Sequence, residues 1–246
     1  MQSNEIAIVI LSCDKFKVTW KPCIDHFFDA WPDCPYRIYL LNNFIPSKDS
    51  RVIDLMVGED NNWSDTLKKG LLKIEEKRIF FIFDDTFILN INLQYVEFIF
   101  KIAIENNLDS VALKRKKYGK GKKFNESLFR LNSKTKYRNS LFLNLFSKNL
   151  LLNLLKSGEN AWQFEKDGNE RNQSFDFYSV YEENSISYHH GIVKGKWLPK
   201  TYFYLKKNGY SLKENSFEKH SQLQELYLDI YSLIFFVVQK FLHLFK

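Results

Sequence analysis

The stretch Phe81-Ile82-Phe83-Asp84-Asp85-Thr86-Phe87 sets two adjacent carboxylates at the end of an apolar run. Burial disfavours a charged carboxylate unless a partner compensates it. A divalent cation bridged to phosphate oxygens is such a partner, because hard cations prefer carboxylate ligands. The plainer alternative is that one of the two caps the next turn, where Asp is common. Two more polar sets follow apolar runs in the same way: Ser12-Cys13-Asp14 after residues 5–11, and Asn42-Asn43 after residues 36–41. No Ser/His/Asp order, P-loop or Gly-x-Gly-x-x-Gly is present.

Elements must hold these sets together. Residues 5–11 (EIAIVIL), 36–41 (YRIYLL) and 78–83 (RIFFIF) read as strands, the first and last buried on both faces; 51–57 is a weaker strand and 110–113 a short one. Residues 16–31 read as a helix ending at Pro32, and 93–106 as another. Residues 64–76 space Leu67, Leu71, Leu72 and Ile74 helically, with Trp63-Ser64 as the entry and Ser64 as N-cap. Strands alternating with helices predict an α/β sheet with parallel strands. Ligands of such sheets bind beyond the carboxyl ends of the strands, where all three polar sets fall.

The second half is less regular. Residues 114–123 (KRKKYGKGKK) form a basic, glycine-containing loop, 142–155 a strand running into a helix, and 175–181 and 186–193 alternate like strands. With 246 residues, 45% apolar and 26% charged, the chain is neither disordered nor collagen-like, and it splits into a core of 1–211 and an appendage of 212–246. Lys and Arg outnumber Asp and Glu 36 to 29, a balance of +7 that attracts nucleotides, nucleic acid or anionic lipid. The three cysteines, Cys13, Cys23 and Cys34, match no zinc spacing and read as buried, reduced thiols in a cytoplasmic protein. The N-terminal apolar run reads as a strand and not a signal peptide, and no run of about 20 apolar residues exists to form a membrane span.

Taken in order, IAIVILSCDKF at 6–16, YLLNN at 39–43, NNWSDTLKKGLLKI at 61–74, IFFIFDDTFI at 79–88, NAWQFE at 160–165 and HHGIVKGKW at 189–197 resemble the GT-A glycosyltransferases. The likeness is strongest to small bacterial enzymes that build O-antigen, capsule or lipopolysaccharide. It implies a Rossmann-like, mixed but mainly parallel sheet flanked by helices, and transfer of a hexose-type sugar from a nucleotide donor. The family usually carries an Asp-any-Asp triad. Here Asp84-Asp85-Thr86 displaces the second carboxylate.

The resemblance implies roles residue by residue. Asp84 and Asp85 would hold a divalent metal, Mn or Mg, with His189 of the pair His189-His190 as a late ligand. Ser12 and Asp14 would contact the base and ribose. Asn42, Trp63 and Ser64 would face the donor's diphosphate or sugar. Glu165 would take the acceptor's proton, as an inverting transfer requires, while Trp162 stacks on a sugar and Lys194 and Lys196 attract the acceptor's phosphate. Plainer readings are that Trp63, Trp162 and Phe164 are core, Glu165 is exposed, and His189-His190 is a strand end or surface pair.

The tail carries polar residues at Glu225, Asp229, Ser232, Gln239, His243 and Lys246, one narrow stripe on an otherwise apolar helix. Such a helix lies in a membrane interface, or packs on the protein's own core or on a second copy in a homodimer. With the family resemblance, this predicts a protein at the cytoplasmic face of the inner membrane whose acceptor is a lipid-linked glycan. Nucleic acid is not expected as a partner on this reading. The rival readings are a nucleic-acid-binding module using residues 114–123, and a nucleotide-binding scaffold without catalysis.

Overall fold

In the computed structural model, residues 4–116, 121–171, 173–182, 185–212, 217–228, 230–231 and 234 are described. Strands β1 (Ile6–Leu11), β2 (Arg37–Asn42), β3 (Ile53–Met56) and β4 (Arg78–Phe83) fall where the apolar runs predict them. Helices α1 (Lys17–Ala30), α2 (Trp63–Leu72) and α3 (Leu93–Glu105) lie between and after them. One strand is new. The chain does not stop at Asp84-Asp85 but turns there into β5 (Thr86–Ile91). There follow β6 (Ser110–Ala112), β7 (Gly121–Lys123), β8 (Leu128–Leu131), β9 (Asn144–Ser147), α4 (Lys148–Leu154), α5 (Ala161–Arg171), β10 (Phe177–Val180), β11 (Ile186–His190), β12 (Ile192–Val193), β13 (Lys196–Trp197) and α6 (Pro199–Lys207).

Among the described residues nine strands form one sheet in the order β3-β2-β1-β4-β9-β6-β10-β8-β7. Strands β9 and β8 run against the others, so the sheet is mixed and mainly parallel in direction. Alternation along β1 explains its two buried faces. Ile6, Ile8 and Ile10 join Trp20, Ile24 and Phe27 of α1 and Ile99 and Phe100 of α3 on one side. Ala7 and Val9 join Leu67 and Leu71 of α2, Leu150 and Leu151 of α4 and Phe164 of α5 on the other. Each such large aliphatic side chain contributes roughly 1.5–3 kcal/mol when fully buried.

Local chemistry corrects two expectations. The N-cap of α2 is Asn62, whose side chain accepts from Asp65 N. Ser64 lies inside the helix and is buried, bonding through Oγ to Asn62 Oδ1. Asn precedes Ser by two positions and is at least as good a cap, so it fixes the earlier start. The basic run 114–123 is not wholly a loop, because β7 pairs antiparallel with β8; residues 117–120 of that run lie outside the described residues. The cysteines also differ from expectation. All three are free, but only Cys23 is buried, while Cys13 and Cys34 are partly exposed.

Beyond residue 211 the chain returns to the body. Trp197 N donates to Glu218 O and His220 N donates to Trp197 O. Residues 222–228 are helical, and their polar residue Glu225 faces inward, 6% exposed, where Oε1 accepts from Lys200 N in the first turn of α6. The apolar residues point out: Leu223 is 78% and Tyr227 63% exposed. Residues 222–228 are therefore not packed apolar-side-in on the protein's own core, whereas Leu212 and Phe217 ahead of them join it. Asp229, Ser232, Gln239, His243 and Lys246 of the polar stripe fall outside the described residues.

Candidate active site

The carboxyl ends of β1 and β4 are neighbours, with Leu11 paired to Phe83 and Asp84 N donating to Leu11 O at 3.2 Å. A cavity of about 350 Å³ opens there. It is lined by Ser12, Cys13, Phe83, Asp84 and Asp85 at the strand ends, by Asp60, Trp63 and Thr66 at the entry of α2, and by Ala161 and Glu165 of α5. Ile192 and Gly195 close the rim.

Two carboxylates sit at the strand ends. Asp84 is buried, and its Oδ2 accepts from Ser12 Oγ, which accepts in turn from Trp20 Nε1 at 2.6 Å. Burial, then the charge of Asp85, pushes the Asp84 carboxyl well above the usual range, while the Ser12 hydroxyl pulls the other way. Asp85 is pushed up to about 6 by burial, against the opposing bond from Ile192 N to its Oδ2 at 3.2 Å. Among the described residues no cation forms an ion pair with either.

The turn between β4 and β5 is braced from both sides. Gly191 N donates to Asp85 O at 2.7 Å, and a Cβ on Gly191 would stand 2.6 Å from the Phe87 ring, so only glycine permits this approach. Behind the turn, Cys23 Sγ contacts the carbonyls of Phe83 and Thr86. The hairpin β12–β13 turns at Lys194 and Gly195, both at positive φ, as a tight two-residue turn demands, which brings Gly195 to the rim.

Five of the sequence-predicted residues meet in this cavity: Ser12, Trp63, Asp84, Asp85 and Glu165. Trp63 also packs on Phe164, with ring centroids 5.4 Å apart. The others lie elsewhere. Asp14 is spent on the loop after β2, its carboxylate accepting from the N–H groups of Asn43, Phe44 and Ile45. Asn42 is buried and donates to Ile45 O and Asp54 Oδ1. Ser64 joins α2 to the entry of α5, accepting from Glu159 N. Trp162 is 75% exposed and does not line the cavity. Lys196 pairs with Glu218 at 2.7 Å, and Lys194 occupies the hairpin turn.

His189 is not brought to the carboxylates. It is exposed, and its ring packs on Tyr204 at 5.3 Å. Neighbours on a strand point to opposite faces, so His190 turns the other way, against Phe142 and Tyr188, where burial and then the charge of Lys114 lower it to about 4. Among the described residues no group of three or more His, Cys, Asp or Glu could by itself hold a metal ion. Asp84 and Asp85 supply two hard carboxylates. Such a pair fits Mg or Mn, which keep waters and substrate phosphate oxygens as their remaining ligands.

Sequence reasoning missed two participants. Trp20 orients Ser12 from α1. Asp60 lines the cavity, accepting from Thr66 Oγ1 at 2.6 Å. Lys116 does not line the cavity, and its ammonium donates to Tyr137 O at 3.2 Å. Only Asp60 had a visible signal, an acid just ahead of the α2 entry.

No family model matches the chain, and no curated protein matches it. Solved structures do. The S. aureus TarS 1–349 structure in complex with UDP-GlcNAc aligns at TM-score 0.51 and 13% identity, over 78% of this chain and 60% of that one. The same protein in complex with UDP aligns at 0.47 and 13%, over 77% and 60%. A UDP-glucose pyrophosphorylase complexed with UDP-glucose aligns at 0.48 and 6%, over 75% and 92%. The chain thus spans about three fifths of the TarS chains it matches. The first alignment shows the fold, which is GT-A-like.

Proposed function

We propose that this protein is a glycosyltransferase that moves a sugar from a nucleotide-sugar donor to a hydroxyl of a lipid-linked cell-surface glycan. One observation carries the reading. Two adjacent carboxylates, Asp84 buried and Asp85 half-buried, with no cationic partner among the described residues, share a cavity with Glu165 at the strand ends where α/β sheets bind ligands. Transfer breaks the bond between the sugar's anomeric carbon and the donor's diphosphate and forms one to the acceptor oxygen. Glu165, which lines the same cavity as the two aspartates, takes the acceptor's proton as general base in an inverting displacement. Trp63 and Phe83 supply apolar surface against which a base or sugar ring packs. Asp60 and the acceptor lone pair of Ser12 are placed to receive hydroxyl or N–H donors. Asp84 and Asp85 would hold a divalent cation, which when bound supplies positive charge to the departing diphosphate.

The acceptor's lipid fits the tail. Exposed Leu223, Leu226, Tyr227, Ile230, Tyr231 and Ile234 recur at helical spacing, with Phe203 of α6 56% exposed beside them. An apolar stripe turned outward on a protein of net charge +7 suits peripheral attachment to an anionic bilayer such as the inner membrane's cytoplasmic face. No helix among the described residues is long and apolar enough to cross a membrane.

The test is release of nucleoside diphosphate from a panel of UDP-, GDP- and dTDP-sugars, and of CMP from CMP-sugars, by the full chain with a bacterial lipid-linked glycan extract and manganese. The reading expects turnover of one donor class, abolished in Asp85→Ala with the fold intact by circular dichroism. Full activity in Asp85→Ala would remove the assignment of the site.

A further inference from the structure

A second cavity, of about 470 Å³, lies at the other end of the sheet. Strand β10 runs in the direction of β4, as its pairing through β6 and β9 requires. Phe175 and Asp176, at the amino end of β10, line this cavity. They stand at the opposite end of the strands from Asp84 and Asp85. Three cations line the cavity, Lys122, Arg130 and Arg138, against one carboxylate, Asp176. That carboxylate is already engaged, its Oδ1 accepting from Arg130. Lys122 and Arg130 are direct partners in the β7–β8 ladder. Their side chains therefore share a face, and like charges so placed repel. Lys122 makes no ion pair among the described residues. Arg138 is 2% exposed, its guanidinium 4.7 Å from the centre of the Phe177 ring. Burial opposes its charge, Asp176 supports it, and Arg130 opposes it again. Leu131 and Phe175 supply apolar wall. Asn132 lines the cavity too, and its amide oxygen accepts from Lys134 N, so its NH₂ group is what it has to give.

We propose that this cavity is a second ligand site, which takes a phosphate monoester carried on a sugar-sized body. Three cations and one carboxylate leave an excess of two positive charges in the lining. A phosphate monoester near pH 7 carries about −1.5 to −2, which matches it. Its ionised oxygens accept the hydrogen bonds that ammonium, guanidinium and amide groups can only donate. A bare phosphate would leave most of the volume empty, whereas a cavity of this size takes a small organic body. Leu131 and Phe175 then lie against its ring. Bound there, the anion relieves the repulsion between Lys122 and Arg130. A free sugar phosphate and a phosphorylated end of a glycan share this chemistry. The site does not rest on the transferase reading; only the choice between those two sources does.

The test is calorimetric titration of the full chain with glucose 6-phosphate, glucose, inorganic phosphate and glucuronate. EDTA is present, so that no metal draws a phosphate to Asp84 and Asp85. Glucose 6-phosphate should bind with a millimolar or lower Kd, inorganic phosphate and glucuronate more weakly, and glucose not at all. Lys122→Gln combined with Arg130→Gln should weaken glucose 6-phosphate by about tenfold or more, as loss of charge-assisted hydrogen bonds does. Asp85→Asn should leave its affinity unchanged. Should the double variant not fold, Lys122→Gln alone, exposed on the edge strand β7, reads a smaller loss of the same sign. In the transfer assay, a raised acceptor KM with kcat kept in the double variant assigns the site to a phosphorylated glycan, and an unchanged KM to a free sugar phosphate. Four results overturn the proposal: no binding of glucose 6-phosphate at about 10 mM, equal binding of glucuronate or bare phosphate, full affinity in the Lys122 and Arg130 variants, or loss of affinity in Asp85→Asn. Failure of sugar transfer leaves these titrations untouched, so the two ideas fail separately.

Discussion

Replacing Asp85 by Asn should stabilise the protein, and the gain should depend on pH in one direction. Asp85 is held at about 6 in the folded chain against a usual 3.8. Well below pH 3.8 the carboxyl is protonated in both states, and the folded protein carries no penalty. As pH rises through 6, the unfolded chain has already lost its proton, while the folded one must ionise a carboxylate that burial opposes. Stability is therefore lost between about pH 4 and 7 and stays lost above that. The 2.2-unit difference between about 6 and 3.8 corresponds to at most about 3 kcal/mol, at 1.36 kcal/mol per unit. Asn keeps an oxygen for the N–H of Ile192 and brings no charge. It also removes the field that pushes Asp84 up, which acts in the same sense. Urea unfolding of both proteins at half-unit steps from pH 4 to 8 reads the difference. Near pH 4 the two should differ by no more than about 0.5 kcal/mol, and at pH 8 the variant should lead by about 1–3 kcal/mol, or roughly 2–12 °C in Tm. A gap of constant size across that range, or a variant less stable at pH 8, would refute the claim that burial without a cationic partner governs this carboxylate.

Glu165→Gln should lower the rate of sugar transfer by about 10²–10⁴-fold with donor affinity within a factor of three, as loss of a general base does; parallel loss of binding and rate would make Glu165 a donor contact. Asn62→Ala should cost about 1 kcal/mol of stability through the lost cap of α2, while Ser64→Ala acts through the contact to Glu159 instead; denaturation of both variants separates the two. Gly191→Ala should destabilise by about 1–3 kcal/mol as its Cβ meets the Phe87 ring, and a neutral result in thermal melts would deny the close packing of the turn. Leu226→Asp with Ile230→Asp should release the full chain from anionic vesicles in a flotation assay, with donor turnover on a soluble acceptor unchanged; retention on the vesicles would move the attachment elsewhere.

The sheet was legible because its central strands are extreme. Runs such as IAIVIL and RIFFIF admit no amphipathic helix reading, and the polar residues ending them mark the strand ends. Strand β5 was hidden by Asp84-Asp85, which look like a terminus but form the tight turn between β4 and β5. The Ser12 and Asp84 end of the cavity could be read from strand ends alone, since both follow neighbouring parallel strands. Glu165 is adjacent to them only through tertiary folding, and its identification came by way of a family likeness. Asp14 and Asn42 show the limit of the method. Both sit at strand ends and are polar, yet the Asp14 carboxylate is taken up by the loop at 43–45 and the Asn42 amide nitrogen by Ile45 O and Asp54. Whether a strand-end carboxylate faces a ligand or its own backbone depends on loop geometry that residue type does not encode. The tail shows the same for orientation, since its periodicity gave a stripe without saying which side faces the protein. Glu225, turned toward the first turn of α6, settles that.

Calorimetric titration of the purified chain with UDP, GDP, dTDP and CMP, with and without manganese, reads whether Asp84 and Asp85 bind a donor's phosphates through a metal. Selective binding of one nucleotide, strengthened by manganese, is expected, with the manganese effect removed in Asp85→Asn. Absence of binding by all four at millimolar concentration, or binding that is unchanged in Asp85→Asn, would contradict it.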